Sequence, residues 1–85
     1  MTPTIDRASL VPDATVDFED MGCGDLAIAL MDAMKPLQVG QILKIRALDP
    51  GAVEDIPAWC RMRRHTLLLS PDEQDREHYY IQKGA

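Results

Sequence analysis

The sequence predicts an α/β two-layer sandwich of order βαβαββ, a four-stranded mixed sheet with two helices packed on one face. Two observations lead there. Short stretches of alternating polarity are separated by two longer stretches of helical spacing, which marks parallel βαβ crossovers. The chain then closes with two strand-like runs joined by a short polar turn, a hairpin signal. At 85 residues the chain has room for one small core, since a domain of this size buries roughly two-thirds of its unfolded surface.

The first 13 residues hold Pro3 and Pro12 without a sustained period, so residues 1–13 are expected to be a flexible arm, pinned by Leu10 and Val11, ahead of a single domain over 14–85. Thr15 to Glu19 alternates, with Val16 and Phe18 on one face, as a half-buried strand does. From Gly24 the period changes: Leu26, Leu30, Met34 and Leu37 form a helical stripe flanked by Ala27, Ile28 and Met31. The stripe is wider than one sheet face needs, which leaves Met31 or Met34 partly exposed. Asp25 in the first turn and Lys35 in the last suit the helix dipole, and Pro36 ends the ladder.

After a turn at Val39-Gly40, the run Gln41 to Leu48 buries Leu43, Ile45 and Ala47 and wets Ile42, Lys44 and Arg46. Asp49 as cap and Pro50 at the first position open a second helix. Val53, Ile56, Pro57 and Cys60 share its inner face, and Pro57 predicts a kink or restart near Asp55. Trp59 and Met62 fall off that face, where they either cover a sheet edge or meet a partner. Arg61, Arg63, Arg64 and His65 place positive charge at the helix end. Thr66 to Leu69 and His78 to Lys83 are the last two strands, joined by the polar turn Ser70 to Arg76.

Composition excludes several function classes. A net charge of −5, from 14 acidic and 9 basic residues, is opposite in sign to a nucleic-acid or anionic-membrane footprint. No run approaches the roughly 20 apolar residues that span a bilayer. Without an export signal, the cytoplasm is the expected compartment. Cys23 and Cys60 have neither disulfide-framework nor metal-site spacing, and His65 and His78 lie far from both. No metal and no cofactor is expected. A conventional small-molecule enzyme, with a wide cleft and an acid–base pair, is the least expected class.

The candidate reactive group is Cys23, in the stretch Asp20-Met21-Gly22-Cys23-Gly24-Asp25 where a strand turns into a helix. A helix N-terminus carries unpaired N–H groups and about half a positive charge, which favours an anion such as thiolate. Cys60 is expected to be buried and inert.

The order of elements, with a lone cysteine before the first helix, resembles the TusA/SirA-like family of small sulfur carriers. The residues that carry the resemblance are Cys23, Gly40, the string Asp55-Ile56-Pro57-Ala58-Trp59-Cys60 after Asp49-Pro50, His65, and Ile81-Gln82-Lys83-Gly84. The resemblance implies a fold similar to the C-terminal domain of bacterial translation initiation factor three. It also implies that Cys23, matching the cysteine of a Cys-Pro-x-Pro motif, carries persulfide sulfur from a cysteine desulfurase or rhodanese donor protein to an acceptor protein. Gly24 and Leu26 stand where that motif has its prolines, and Asp20-Met21 where Gly-Leu is usual. Asp20 places negative charge near the thiol, opposing the helix end. A second expectation stays open beside the first: a binding or regulatory module without sulfur transfer, working through the first helix and Trp59.

Overall fold

The computed structural model describes residues 7–84, apart from the side chain of Cys23. Residues 1–6 of the expected arm lie outside the described residues. A 3-10 turn at Arg7–Ser9 precedes β1 (Ala14–Asp17), α1 (Cys23–Met34), β2 (Ile42–Arg46), α2 (Ala52–Arg63), β3 (Thr66–Leu69) and β4 (His78–Gln82). The sheet order is β1-β2-β4-β3. β1 and β2 are parallel, with Val16 opposite Ile45, and β4 runs antiparallel to both of its neighbours. β1, β2 and β3 therefore share one direction, and each crossover helix runs back against it. Both helices begin at the edge where β1 and β2 end.

Burial follows the expected alternation in β2, where Leu43, Ile45 and the following Ala47 are inside. Facing them are Leu26, Leu30, Met34 and Leu37, on and just after α1, with Tyr79 and Ile81 from β4 completing that layer. Met34 is buried, and Ile28 and Met31 take the exposed side of α1. Burying a single such aliphatic side chain is worth about 1.5–3 kcal/mol, so these few residues dominate the fold's stability.

α2 departs from its expected phase. Its buried face is Ala52, Ile56, Trp59 and Cys60, while Val53 is 62% exposed. Both faces pass through Ile56 and Cys60, and the bulk of Trp59 decides between them: its large apolar surface gains more from burial than that of Val53. The helix is continuous through Pro57, without the expected restart. The bond lost to the proline ring is the one to the Val53 carbonyl, on an exposed residue where water replaces it. The helix also opens later than expected. Gly51, immediately before Ala52, is the cap residue, and the Asp49 carboxylate accepts its N–H at 3.0 Å.

The C-terminal end of the helical layer is closely tied. Arg64 ends α2 in the left-handed region, at φ 62°, and the His65 N–H reaches back to the Cys60 carbonyl at 2.8 Å. The Gly84 N–H donates to His65 Nδ1 at 3.0 Å, and a Cβ on Gly84 would stand 1.6 Å from the Arg64 carbonyl oxygen. Only glycine permits that approach. Lys83 extends its ammonium to the carbonyls of Met34, at 2.9 Å, and Leu37, so the residue that follows the last strand caps the first helix. Lys35, expected in that role, instead pairs on the surface with Asp32 at 3.3 Å.

On the other face of the sheet, Tyr80 is only 5% exposed although it points away from both helices. The Lys44 ammonium and the Arg7 guanidinium lie 5.5 and 5.9 Å from its ring centre. Arg7 also donates to the carbonyls of Ser70 and His78 and pairs with Asp72 and Asp75. Among the described residues, Arg7 and Asp13 tie the arm to the sheet, Asp13 exchanging two bonds with Ile42 at 2.8 Å; of the two residues expected to pin it, Leu10 is half-buried and Val11 is exposed.

Candidate functional site at the start of the first helix

The turn that delivers Cys23 is held by its backbone. Beyond β1, the Phe18 N–H bonds to the Arg46 carbonyl at 2.9 Å, and the Met21 N–H bonds to the Phe18 carbonyl at 3.1 Å. Phe18 is buried and Met21 packs against the core, so both ends of the turn are seated by apolar contact. Between them Glu19 takes a left-handed conformation, φ 53°, which costs a non-glycine residue roughly 1–2 kcal/mol. Two bonds hold it there: its N–H to Asp17 Oδ1 at 2.9 Å, and its carbonyl to the Leu48 N–H at 2.8 Å.

Gly22 is the extended cap residue of α1, with φ −76° and ψ 171°, and among the described residues no side chain caps the helix. Cys23 is the first helical residue. The first bond of the ladder runs from the Leu26 N–H to the Gly22 carbonyl at 2.7 Å, which leaves the N–H groups before it outside the ladder. Among the described residues, a Cβ placed on Gly22 or on Gly24 would meet nothing within 4 Å. The glycines on both sides of Cys23 are thus uncrowded by the described residues.

The prolines of the family motif would fall on two very different positions. At Gly24 the N–H is outside the ladder and the surroundings are open. At Leu26 the N–H makes the first helical bond and the side chain is 1% exposed in the core.

Cys60 lies near the other end of the helical layer, three residues from the end of α2, so the fold does not bring the two cysteines together. It is a free, buried thiol, and burial pushes its pKa up to about 11, the charge of Arg61 offsetting this only in part. Neither histidine joins the site. His65 sits at the far edge, its ring centre 5.1 Å from that of Trp59 and tilted 36° to it, its pKa lowered by burial and then by Lys83 and Arg63. His78 lies on the outer face, its Nδ1 2.9 Å from Asp75. Among the described residues, no three His, Cys, Asp or Glu side chains are grouped to hold a metal ion, and no helix is long and apolar enough to cross a membrane.

What sequence reasoning missed is the surface beside the site. Leu30 and Ala27 of α1 and Ile56, Ala58, Trp59 and Met62 of α2 line an open apolar groove of about 190 Å³. Choosing Ala52 rather than Val53 as the start of the inner face would have found it, because Ala52, Ile56 and Trp59 recur at helical spacing.

This architecture, a βαβ unit with a cysteine opening its helix and a second crossover closing on a hairpin, has known relatives. The model of the family described as Sulfurtransferase TusA matches residues 14–83. The protein of Bacillus subtilis (strain 168) named "Putative sulfur carrier protein YrkI" is 38% identical over 72 residues, covering 85% of this chain and 96% of that protein. The match takes in every strand and both helices described above, together with the turn that bears Cys23, and on that ground the chain belongs to the TusA/SirA-like sulfur-carrier family.

Proposed function

We propose that the protein is a sulfur carrier that holds sulfane sulfur as a persulfide on Cys23. The sulfur comes from a cysteine desulfurase or rhodanese and passes to an acceptor protein. In the loading step the Cys23 thiolate attacks the terminal sulfur of a donor persulfide, R–S–S–H. The new S–S bond forms on Cys23, the old one breaks, and the donor leaves as R–S⁻. No net oxidation occurs, so no redox cofactor is required. The observation that carries this reading is the position of Cys23, first in a helix whose initial N–H groups lie outside the ladder and whose flanks are open. Such a helix end favours the anionic thiolate and persulfide forms. Cys60 takes no part, since its thiol is buried and its pKa is raised.

Intact mass after incubation with a desulfurase and cysteine tests the proposal. A persulfide adds one sulfur, about 32 Da, and dithiothreitol removes it. Cys23→Ser should gain nothing, and Cys60→Ser should load like the parent. A second reading, a binding or regulatory module without sulfur transfer, draws support from the replacement of both motif prolines by Gly24 and Leu26. Failure of Cys23 to load with desulfurase in excess would leave that reading in its place.

A further inference from the structure

The groove between α1 and α2 runs away from the turn that bears Cys23, and its surroundings change sign along its length. At the Cys23 end, Glu19, Asp20, Asp25 and Glu54 are exposed and Asp55 is half-buried on the groove wall. None of these five carboxylates is in an ion pair among the described residues. The cation at that edge of the sheet, Arg46, is on the opposite face and is already held by Asp17 at 3.1 Å and Glu77 at 2.8 Å. At the far end Arg61 and Arg63 close α2, and the Arg63 guanidinium lies 3.2 Å from the Met31 sulfur. From Asp55 to Arg63 the change of sign spans about 12 Å of helix.

The groove itself is apolar, and none of the described residues fills it. Met62 is 73% exposed at its mouth, and Ile28 and Met31 extend apolar surface along α1. Trp59, 5% exposed, lines the groove, and its indole N–H has no hydrogen-bond partner among the described residues.

We infer that this groove and its acidic end form a docking surface for a partner protein whose contact surface is electropositive and projects an apolar side chain. The apolar side chain seats between Ala58, Met62 and Leu30. The positive rim meets Asp25, Glu54 and Asp55 and so lies over the turn that bears Cys23. The inference depends on the carrier reading only for what is passed across the contact; the docking is independent of it.

The test uses the whole protein and three synthetic peptides: Lys-Lys-Gly-Phe-Gly-Lys-Lys, the same peptide with Ala for Phe, and the same peptide with Glu for every Lys. Trp59, the single tryptophan, reports binding by its fluorescence, and amide chemical shifts locate it. The Lys-Phe peptide should bind saturably with a Kd of about 1 mM or tighter, moving amides of α1 and α2. The Glu peptide should bind at least about tenfold more weakly, and added salt should erase that difference. The Ala peptide should lose about fivefold or more. Ala58→Gln, an exposed position, should weaken the Lys-Phe peptide, while Asp25→Asn with Glu54→Gln should reduce the preference for Lys over Glu.

No saturable change at millimolar peptide, an equal or reversed charge preference, or shifts confined to other elements would overturn the inference. Cys23→Ser should bind as the parent does, which separates the two proposals. Charge-selective binding without sulfur loading would sink the carrier reading alone. Loading without selective binding would sink the docking surface alone.

Discussion

The two ends of the helical layer are built on opposite rules. Among the described residues, at the end where α1 and α2 begin, the caps are two glycines, no side chain caps either helix, and Glu19, Asp20, Asp25, Glu54 and Asp55 stand without ion-pair partners. At the end where they stop, orphan groups are met one by one. Lys83 takes the carbonyls of Met34 and Leu37, the His65 N–H takes that of Cys60, and the Gly84 N–H takes His65 Nδ1. Stability is thereby concentrated away from the cysteine that the family resemblance marks for chemistry. A helix end that is to hold an exchangeable anion must keep its donors free of internal acceptors. That freedom is tolerable here because the opposite end, tied through residues that flank β3 and β4, fixes both helices on the sheet.

The contrast can be broken most severely at Leu26. Leu26→Pro, which restores the second proline of the family motif, removes the first helical bond and a core side chain together. We expect a loss of at least about 4 kcal/mol in urea unfolding. Gly24→Pro should instead leave stability unchanged or raise it by about 1 kcal/mol, because the N–H it removes is outside the ladder. A large loss at position 24 would show that the start of α1 needs glycine there.

At the tied end, Lys83→Met should cost about 1–2 kcal/mol by removing a charge-assisted cap from two carbonyls, read again by urea unfolding. An unchanged midpoint would mean that water replaces the ammonium without loss. Arg64→Gly should stabilise the protein by up to about 1 kcal/mol, since Arg64 holds a left-handed φ that glycine adopts freely.

The smallest effect is in pH. The pKa of His65 is lowered from 6.5 by burial and by the charges of Lys83 and Arg63, so the folded protein favours the neutral ring that accepts the Gly84 N–H. The unfolded chain then binds more protons in this range, and stability rises with pH. The His65 contribution is complete above about pH 6.5 and is lost as pH falls through the folded value. Asp17, Asp72 and Asp75 have pKa values lowered from 3.8, so their contributions are lost only in more acidic solution. In His65→Gln, which keeps an acceptor, the slope between about pH 5 and 7 should flatten. An unchanged slope would assign it to another group.

Much of this was legible from local pattern. The spacing of Leu26, Leu30 and Met34 can face only one layer, and the alternation of Leu43, Ile45 and Ala47 can bury only one side of a strand. α2 was half legible. Val53 and Ala52 both fit a face through Ile56 and Cys60, and spacing alone does not rank them. The turn at Glu19 gave no signal, because its conformation is imposed by Asp17 and Leu48 rather than preferred by glutamate.

By itself, then, the sequence determined the order of elements, the side of α1 and β2 that faces the core, and the placing of one cysteine where a strand turns into a helix. Those follow from periodicity and turn chemistry, which act over a few residues. Tertiary structure alone decided that Lys83 caps a helix ending 49 residues earlier, that Arg7 and Lys44 cover Tyr80, and that Trp59 closes a groove beside α1. These are long-range contacts between groups whose local sequence is compatible with several environments. Only the packing of both helices on one sheet brings them within reach of each other, and only there do burial and charge select one arrangement.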